Sequence, residues 1–140
     1  MIILKGEGGE NILIEIKGEV YPTANDESDR DFLKAFIKAD VTGFSASFDF
    51  VTRKSEIKYW IDQIQELTNF RIKELAIKTI EENLSIRLVV NEYGKICWHL
   101  DLIFPSGERN RLSIYLETGV TEAEQFLNAL KLTPNLQNVR

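Results

Sequence analysis

Phe32-Leu33-Lys34-Ala35-Phe36-Ile37-Lys38-Ala39-Asp40-Val41-Thr42-Gly43-Phe44-Ser45-Ala46-Ser47-Phe48-Asp49-Phe50 is the stretch that decides the fold class. Leu33, Ala35, Ile37, Ala39 and Val41 fall on one side of a two-residue period, and Lys34, Phe36, Lys38 and Asp40 on the other. After Thr42-Gly43 the alternation resumes, with Phe44, Ala46, Phe48 and Phe50 set against Ser45, Ser47 and Asp49. Two alternating runs joined by a two-residue turn containing glycine predict an antiparallel hairpin with one apolar and one wet face.

The same logic extends in both directions. A short strand at Ile2–Leu4 turns at Gly8-Gly9 into a second, where Ile12, Ile14 and Ile16 alternate with Leu13, Glu15 and Lys17. Residues 21–30 contain Pro22, Asn25, Asp26, Glu27, Ser28 and Asp29 and read as a polar loop. Beyond the hairpin the period changes. Ser55 opens a helix whose apolar stripe is Ile57, Trp60, Ile61, Ile64 and Leu67, ending at Asn69. Strands are predicted again near 71–80, 84–91, 95–104 and 110–118. Thr121 and Glu124 then predict a capping box for a last helix with the stripe Ala123, Phe126, Leu127 and Leu130. Pro134 stops that helix, and residues from about 135 to 140 form a loose tail.

The two helix stripes share their spacing, and each follows a run of strands, so the chain reads as a two-fold repeat of hairpin and helix. The expected fold is α+β. It is a two-layer sandwich in which one long, mostly antiparallel sheet carries both helices on one face. Residues 1–140 make a single domain, with a core of Leu33, Ile37, Phe44, Phe48, Trp60, Ile64, Trp98, Leu100, Ile114 and Phe126.

Composition narrows the function classes. Seventeen basic and 22 acidic residues leave a net charge of −5. That disfavours nucleic acid as a partner, because phosphate binding needs clustered Lys and Arg. It suits a basic protein partner, since opposite fields steer association. A single cysteine, Cys97, permits no intrachain disulfide and fits a reducing compartment. No apolar run approaches the roughly 20 residues of a membrane span. The early Lys5 and Glu7 are unlike a signal peptide, so the expected location is cytoplasmic.

No catalytic, cofactor or metal constellation is visible. Cys97, His99 and Asp101 alternate along one strand and share a face, but residues two apart on a strand are about 6.6–7 Å apart. A Cys-His-Asp nucleophilic site needs each pair within hydrogen-bond reach. Gly6, Gly8 and Gly9 precede a strand, so they form neither a P-loop nor a dinucleotide fingerprint. Two features suggest a protein interface instead. Asp26, Glu27, Asp29 and Asp31 crowd one loop, and Phe36 and Tyr115 are aromatics on otherwise charged faces.

The segment Asp31-Phe32-Leu33, the hairpin Gly43-Phe44-Ser45-Ala46-Ser47-Phe48, the Trp60 helix and Asn110-Arg111-Leu112-Ser113-Ile114-Tyr115-Leu116 resemble the WapI-type immunity proteins, from about Ile12 to Leu130. The resemblance implies a small cytosolic bacterial protein that binds and neutralises the toxic C-terminal domain of a polymorphic toxin. It implies stoichiometric occlusion without catalysis, and a protein partner. A small acidic secretion or assembly chaperone is the rival class.

Overall fold

The alternation of residues 32–50 is realised as two ten-residue strands, β3 (Phe32–Val41) and β4 (Phe44–Arg53), in unbroken register from Val41 opposite Phe44 to Phe32 opposite Arg53. Gly43, at φ 82°, takes the left-handed conformation this tight turn requires. The structure is a computed structural model that describes residues 1–105, 110–134 and 136. Two strands precede the hairpin, β1 (Ile2–Lys5) and β2 (Asn11–Glu19), and the polar loop contains a one-turn helix, α1 (Glu27–Arg30). After β4 come α2 (Lys54–Thr68), β5 (Glu74–Lys78), β6 (Leu84–Val90), β7 (Ile96–Ile103), β8 (Arg111–Thr118) and α3 (Val120–Lys131).

The expected single long sheet is corrected here. The strands form two four-stranded antiparallel sheets, β1-β2-β3-β4 and β5-β6-β7-β8, with a helix closing each half. The physical reason is α2. A 15-residue helix could bring the chain back to the first sheet only as a crossover to a parallel strand, whereas β5 to β8, joined by short turns, pair antiparallel with one another. The predicted repeat of hairpin and helix is thus a repeat of a four-strand meander and helix. The helices are not simply laid side by side on one sheet: α2 packs against α3, β5 and β4, and α3 against α2, β1 and β8.

One apolar cluster draws on both sheets and both long helices. All the expected core residues are buried in it except Phe44, which is 67% exposed. Phe44 keeps the inward phase of the alternation but lies at the hairpin tip, beyond the reach of the opposing elements. Trp98, buried, donates its indole N–H to Thr118 Oγ1 at 2.9 Å and meets Phe126 edge-on at 5.1 Å between centroids. Its polar end is therefore satisfied inside the core. The sheets meet again at Glu7, whose backbone N–H donates to Glu117 O at 2.9 Å. Beside it, a Cβ on Gly6 would come within 2.9 Å of Leu116 Cβ, so glycine permits the approach.

The helix boundaries differ from expectation in ways that side chains explain. α2 begins at Lys54, one residue before Ser55, because Asp31 holds its first turn. The Asp31 carbonyl accepts from Lys54 N at 2.8 Å, and its carboxylate accepts from Arg53 Nε at 2.9 Å and Ser55 Oγ at 2.8 Å. Glu56 closes the turn by accepting from Arg53 N at 2.8 Å and Thr52 Oγ1 at 3.1 Å. Burial nevertheless pushes the Glu56 carboxyl above its usual range. Lys54 is 5% exposed, and its ammonium meets Glu19 at 3.3 Å. The predicted Thr121 capping box does not form; Gly119 is the N-cap of α3, which already begins at Val120. The predicted tail, 135–140, lies outside the described residues apart from Leu136, which is buried.

Two stability changes follow from these contacts. Trp60→Ala removes a side chain that is fully within the core and should cost about 3–5 kcal/mol. Glu19→Gln strands the buried Lys54 ammonium and should cost a similar amount, about 3–5 kcal/mol. Urea unfolding followed by far-UV circular dichroism checks both; a loss of unfolding free energy under about 0.5 kcal/mol for either would refute its placement.

Candidate functional site

The acidic loop resolves into two groups with different duties. Asp26 is the N-cap of α1 and accepts from Ser28 N at 2.9 Å and Ser28 Oγ at 2.8 Å. Those bonds hold its carboxyl below the usual range. Glu27 and Asp29 lie in the first turn of α1, where negative charge faces the helix dipole. All three are exposed. Asp31 stands apart. Its side chain is 13% exposed and is held by Arg53 and Ser55. It anchors α2, whereas Asp26, Glu27 and Asp29 stay exposed at the start of α1.

Phe36 and Tyr115 lie on different sheets, so the two aromatics sought from sequence do not form one patch. Phe36 is on the wet face of β3, between Glu15 of β2 and Asp49 of β4. It is half-buried, because the Lys17 ammonium lies 5.6 Å from its ring centroid on the way to Asp49 at 3.6 Å. Tyr115 is on the wet face of β8 and is 51% exposed. Its ring meets His99 edge-on at 4.9 Å.

Tyr115 is the centre of a polar cluster that sequence spacing only hinted at. The phenol oxygen is 2.7 Å from Glu117 Oε1 and 3.4 Å from Cys97 Sγ. A phenol has one hydrogen, and the shorter contact to a carboxylate takes it. The sulfur at 3.4 Å is then a second, weaker acceptor for the phenol, and the thiol itself points to Glu117 Oε1 at 4.0 Å. The adjoining Cys97 thiol and the Glu117 carboxylate push the phenol well above its ordinary range. Asn91 Nδ2 approaches the same sulfur at 3.8 Å. The cross-strand register explains the cluster: Cys97 faces Glu117, His99 faces Tyr115 and Asp101 faces Ser113. Asp101 accepts from Ser113 Oγ at 2.6 Å. Cys97, His99 and Asp101 thus share a face, as predicted, and each pairs across to β8 instead of with one another. Among the described residues no group of three or more His, Cys, Asp or Glu is arranged to hold a metal ion.

A cleft of about 390 Å³ opens between the sheets, lined by Lys34, Asp49, Phe50, Glu81, Asn83 and Phe104 among others. Phe104 stacks on Phe48 at 5.1 Å and is itself 48% exposed. Sequence reasoning missed this aromatic because Phe104 ends a strand in one half and Phe48 lies mid-strand in the other. Only the packing of the halves brings them together. Among the described residues no helix is long and apolar enough to cross a membrane.

Comparison with known proteins fits this arrangement. A crystal structure of Trypanosoma brucei MRP1/MRP2 is similar in fold, with a TM-score of 0.54 over 99% of this chain and 84% of that chain, at 6% sequence identity. Comparison with curated proteins gave no match. Residues 2–133 match the family described as immunity protein WapI-like, which takes in every strand and all three helices. The chain belongs to the WapI-like immunity protein family.

Proposed function

We propose that this protein binds a cognate polymorphic toxin domain in the bacterial cytoplasm and neutralises it by stoichiometric occlusion, acting as one domain and without catalysis. The family match over residues 2–133 carries this reading. The net charge of −5 favours a basic toxin domain. The three exposed acids at the start of α1, Asp26, Glu27 and Asp29, supply a charged rim. Tyr115, with its apolar body exposed and its hydroxyl tied to Glu117, has the character of an interface anchor. Phe36, beneath Lys17, is the weaker anchor because part of its ring is already covered. The direct experiment mixes the purified protein with the toxin domain encoded beside its gene. A 1:1 complex that abolishes toxicity supports the assignment; the absence of any complex refutes it.

Surface variants separate steering from anchoring. Asp26→Asn, Glu27→Gln and Asp29→Asn together should slow association about three- to tenfold at low salt, with the difference vanishing at high salt. Asp31 is left intact in that variant because it holds α2. Tyr115→Ala should instead speed dissociation about tenfold or more. Stopped-flow binding at two salt concentrations reads both effects, and an unchanged association rate at low salt would remove the α1 rim from the interface.

Cys97→Ser and His99→Ala should leave protection of toxin-expressing cells within about twofold of wild type. Neither group is placed beside a base or acid in a way that builds a nucleophile. Loss of protection by a stably folded His99→Ala protein would show that occlusion alone is not the mechanism.

A further inference from the structure

Four strand edges end the two sheets, and three of them are guarded. β1 is only four residues long, and the chain just after it bonds to β8 through Glu7 N and Glu117 O. The same bond occupies the Glu117 carbonyl near the end of β8, and Arg111 places a charge at its start. β5 has five residues, charged at both ends, with α2 packed beside it. The fourth edge, β4, is ten residues long. From Phe44 to Thr52 it carries no lysine, arginine or proline, and its register with β3 has no bulge. Those are the usual devices that keep an edge from pairing.

The hairpin register says which groups are open. Val41 and Phe44 close a two-residue turn, so Phe44, Ala46, Phe48 and Phe50 bond back to β3. Ser45, Ser47, Asp49 and Val51 aim their N–H and C=O groups the other way. Among the described residues no backbone hydrogen bond reaches them. Phe44 at the start of the strand and Phe104, stacked on Phe48, are exposed, and beside Asp49 and Val51 the edge opens into the cleft whose far wall is Glu81, Asn83 and Phe104.

We infer that the β4 edge takes the β4 edge of a second copy, joining two first sheets into one continuous antiparallel sheet across a two-fold axis. The strand complements itself in one register. With Phe48 opposite Phe48 of the second copy, Ser47 faces its Asp49 and Ser45 faces its Val51, and all four open residues pair. The two Asp49 side chains are kept from facing each other, and each lies against a serine hydroxyl. Lys38, opposite Ser47 on β3, is then two strand spacings, roughly 10 Å, from the second copy's Asp49, within reach of a lysine. The alternative register that centres on Asp49 sets the two carboxylates face to face.

Sedimentation equilibrium of the full chain tests this. The mass should climb from the 16.1 kDa monomer toward twice that value, with a dissociation constant on the order of 10 μM for an interface of one strand pair. Ser47→Pro removes an outward N–H and no native bond, so it should weaken the dimer at least about tenfold. Asp49→Lys keeps the backbone intact and brings a cation toward Lys38, and should weaken it similarly should the proline variant fold poorly. The amides of Ser45, Ser47, Asp49 and Val51 should gain exchange protection as concentration rises. A wild-type mass that stays monomeric to about 200 μM overturns the inference, as does a dimer that Asp49→Lys leaves unchanged. Protection of these amides only when another protein is added would also overturn it, by assigning the edge to a foreign strand.

Discussion

The way the chain leaves its first sheet governs everything after residue 53. Asp31, at the start of β3, accepts from Arg53 and Ser55, while its carbonyl binds Lys54 N. Charge-assisted bonds of this kind are about twice as strong as neutral ones. They fix where β4 ends and how α2 departs. Lys54 is thereby turned inward to Glu19, which ties the same helix start to the end of β2. A buried ion pair stabilises little in net terms, because desolvation offsets the attraction, yet it penalises every other exit angle for the helix. With α2 so directed, Ile57, Trp60, Ile64 and Leu67 reach the core, and β5 begins the second sheet.

Local order was legible in the residues wherever one face is dry and the other wet. The hairpin at 32–50, the stripes of α2 and α3 and the inward tryptophans all follow from periods of 2 and 3.6. The partition into two sheets was not legible. Strand alternation says which side of a strand is buried and is silent on which strands are neighbours. Phe44 illustrates the same limit, since its phase is inward while its depth depends on what stands opposite the hairpin tip. The α3 start failed for a different reason: Thr121 and Glu124 have capping-box spacing, but with Gly119 as N-cap the helix begins two residues earlier than that box implies.

The site was partly legible for equally physical reasons. Charge and hydropathy mark Asp26, Glu27, Asp29 and Tyr115 as surface residues, and they are exposed. Composition cannot tell a free carboxylate from one committed to a distant arginine. Asp31 therefore looks like its neighbours in sequence, although its partner is 22 residues away. Phe36 and Tyr115 are alike in sequence context and lie on separate sheets, because the break at α2 divides the wet surface in two.

On the wet face of the second sheet, the register decides what the chemistry can be. Antiparallel pairing places each polar group of β7 against one of β8 at about 4.5–5.5 Å between their Cα atoms, closer than the same-face neighbours two residues away on its own strand, at about 6.6–7 Å. Cys97 therefore meets Tyr115 and Glu117, Asp101 meets Ser113, and His99 is left with an aromatic edge. The same pairing holds the tyrosine hydroxyl in place and leaves the face of the ring to solvent. A rigid aromatic with a satisfied polar tip loses little conformational freedom when another surface covers it. The cross-strand pairing that ties up the polar groups of β7 and β8 is thus also what fixes the Tyr115 hydroxyl, the feature on which the proposed anchoring role rests.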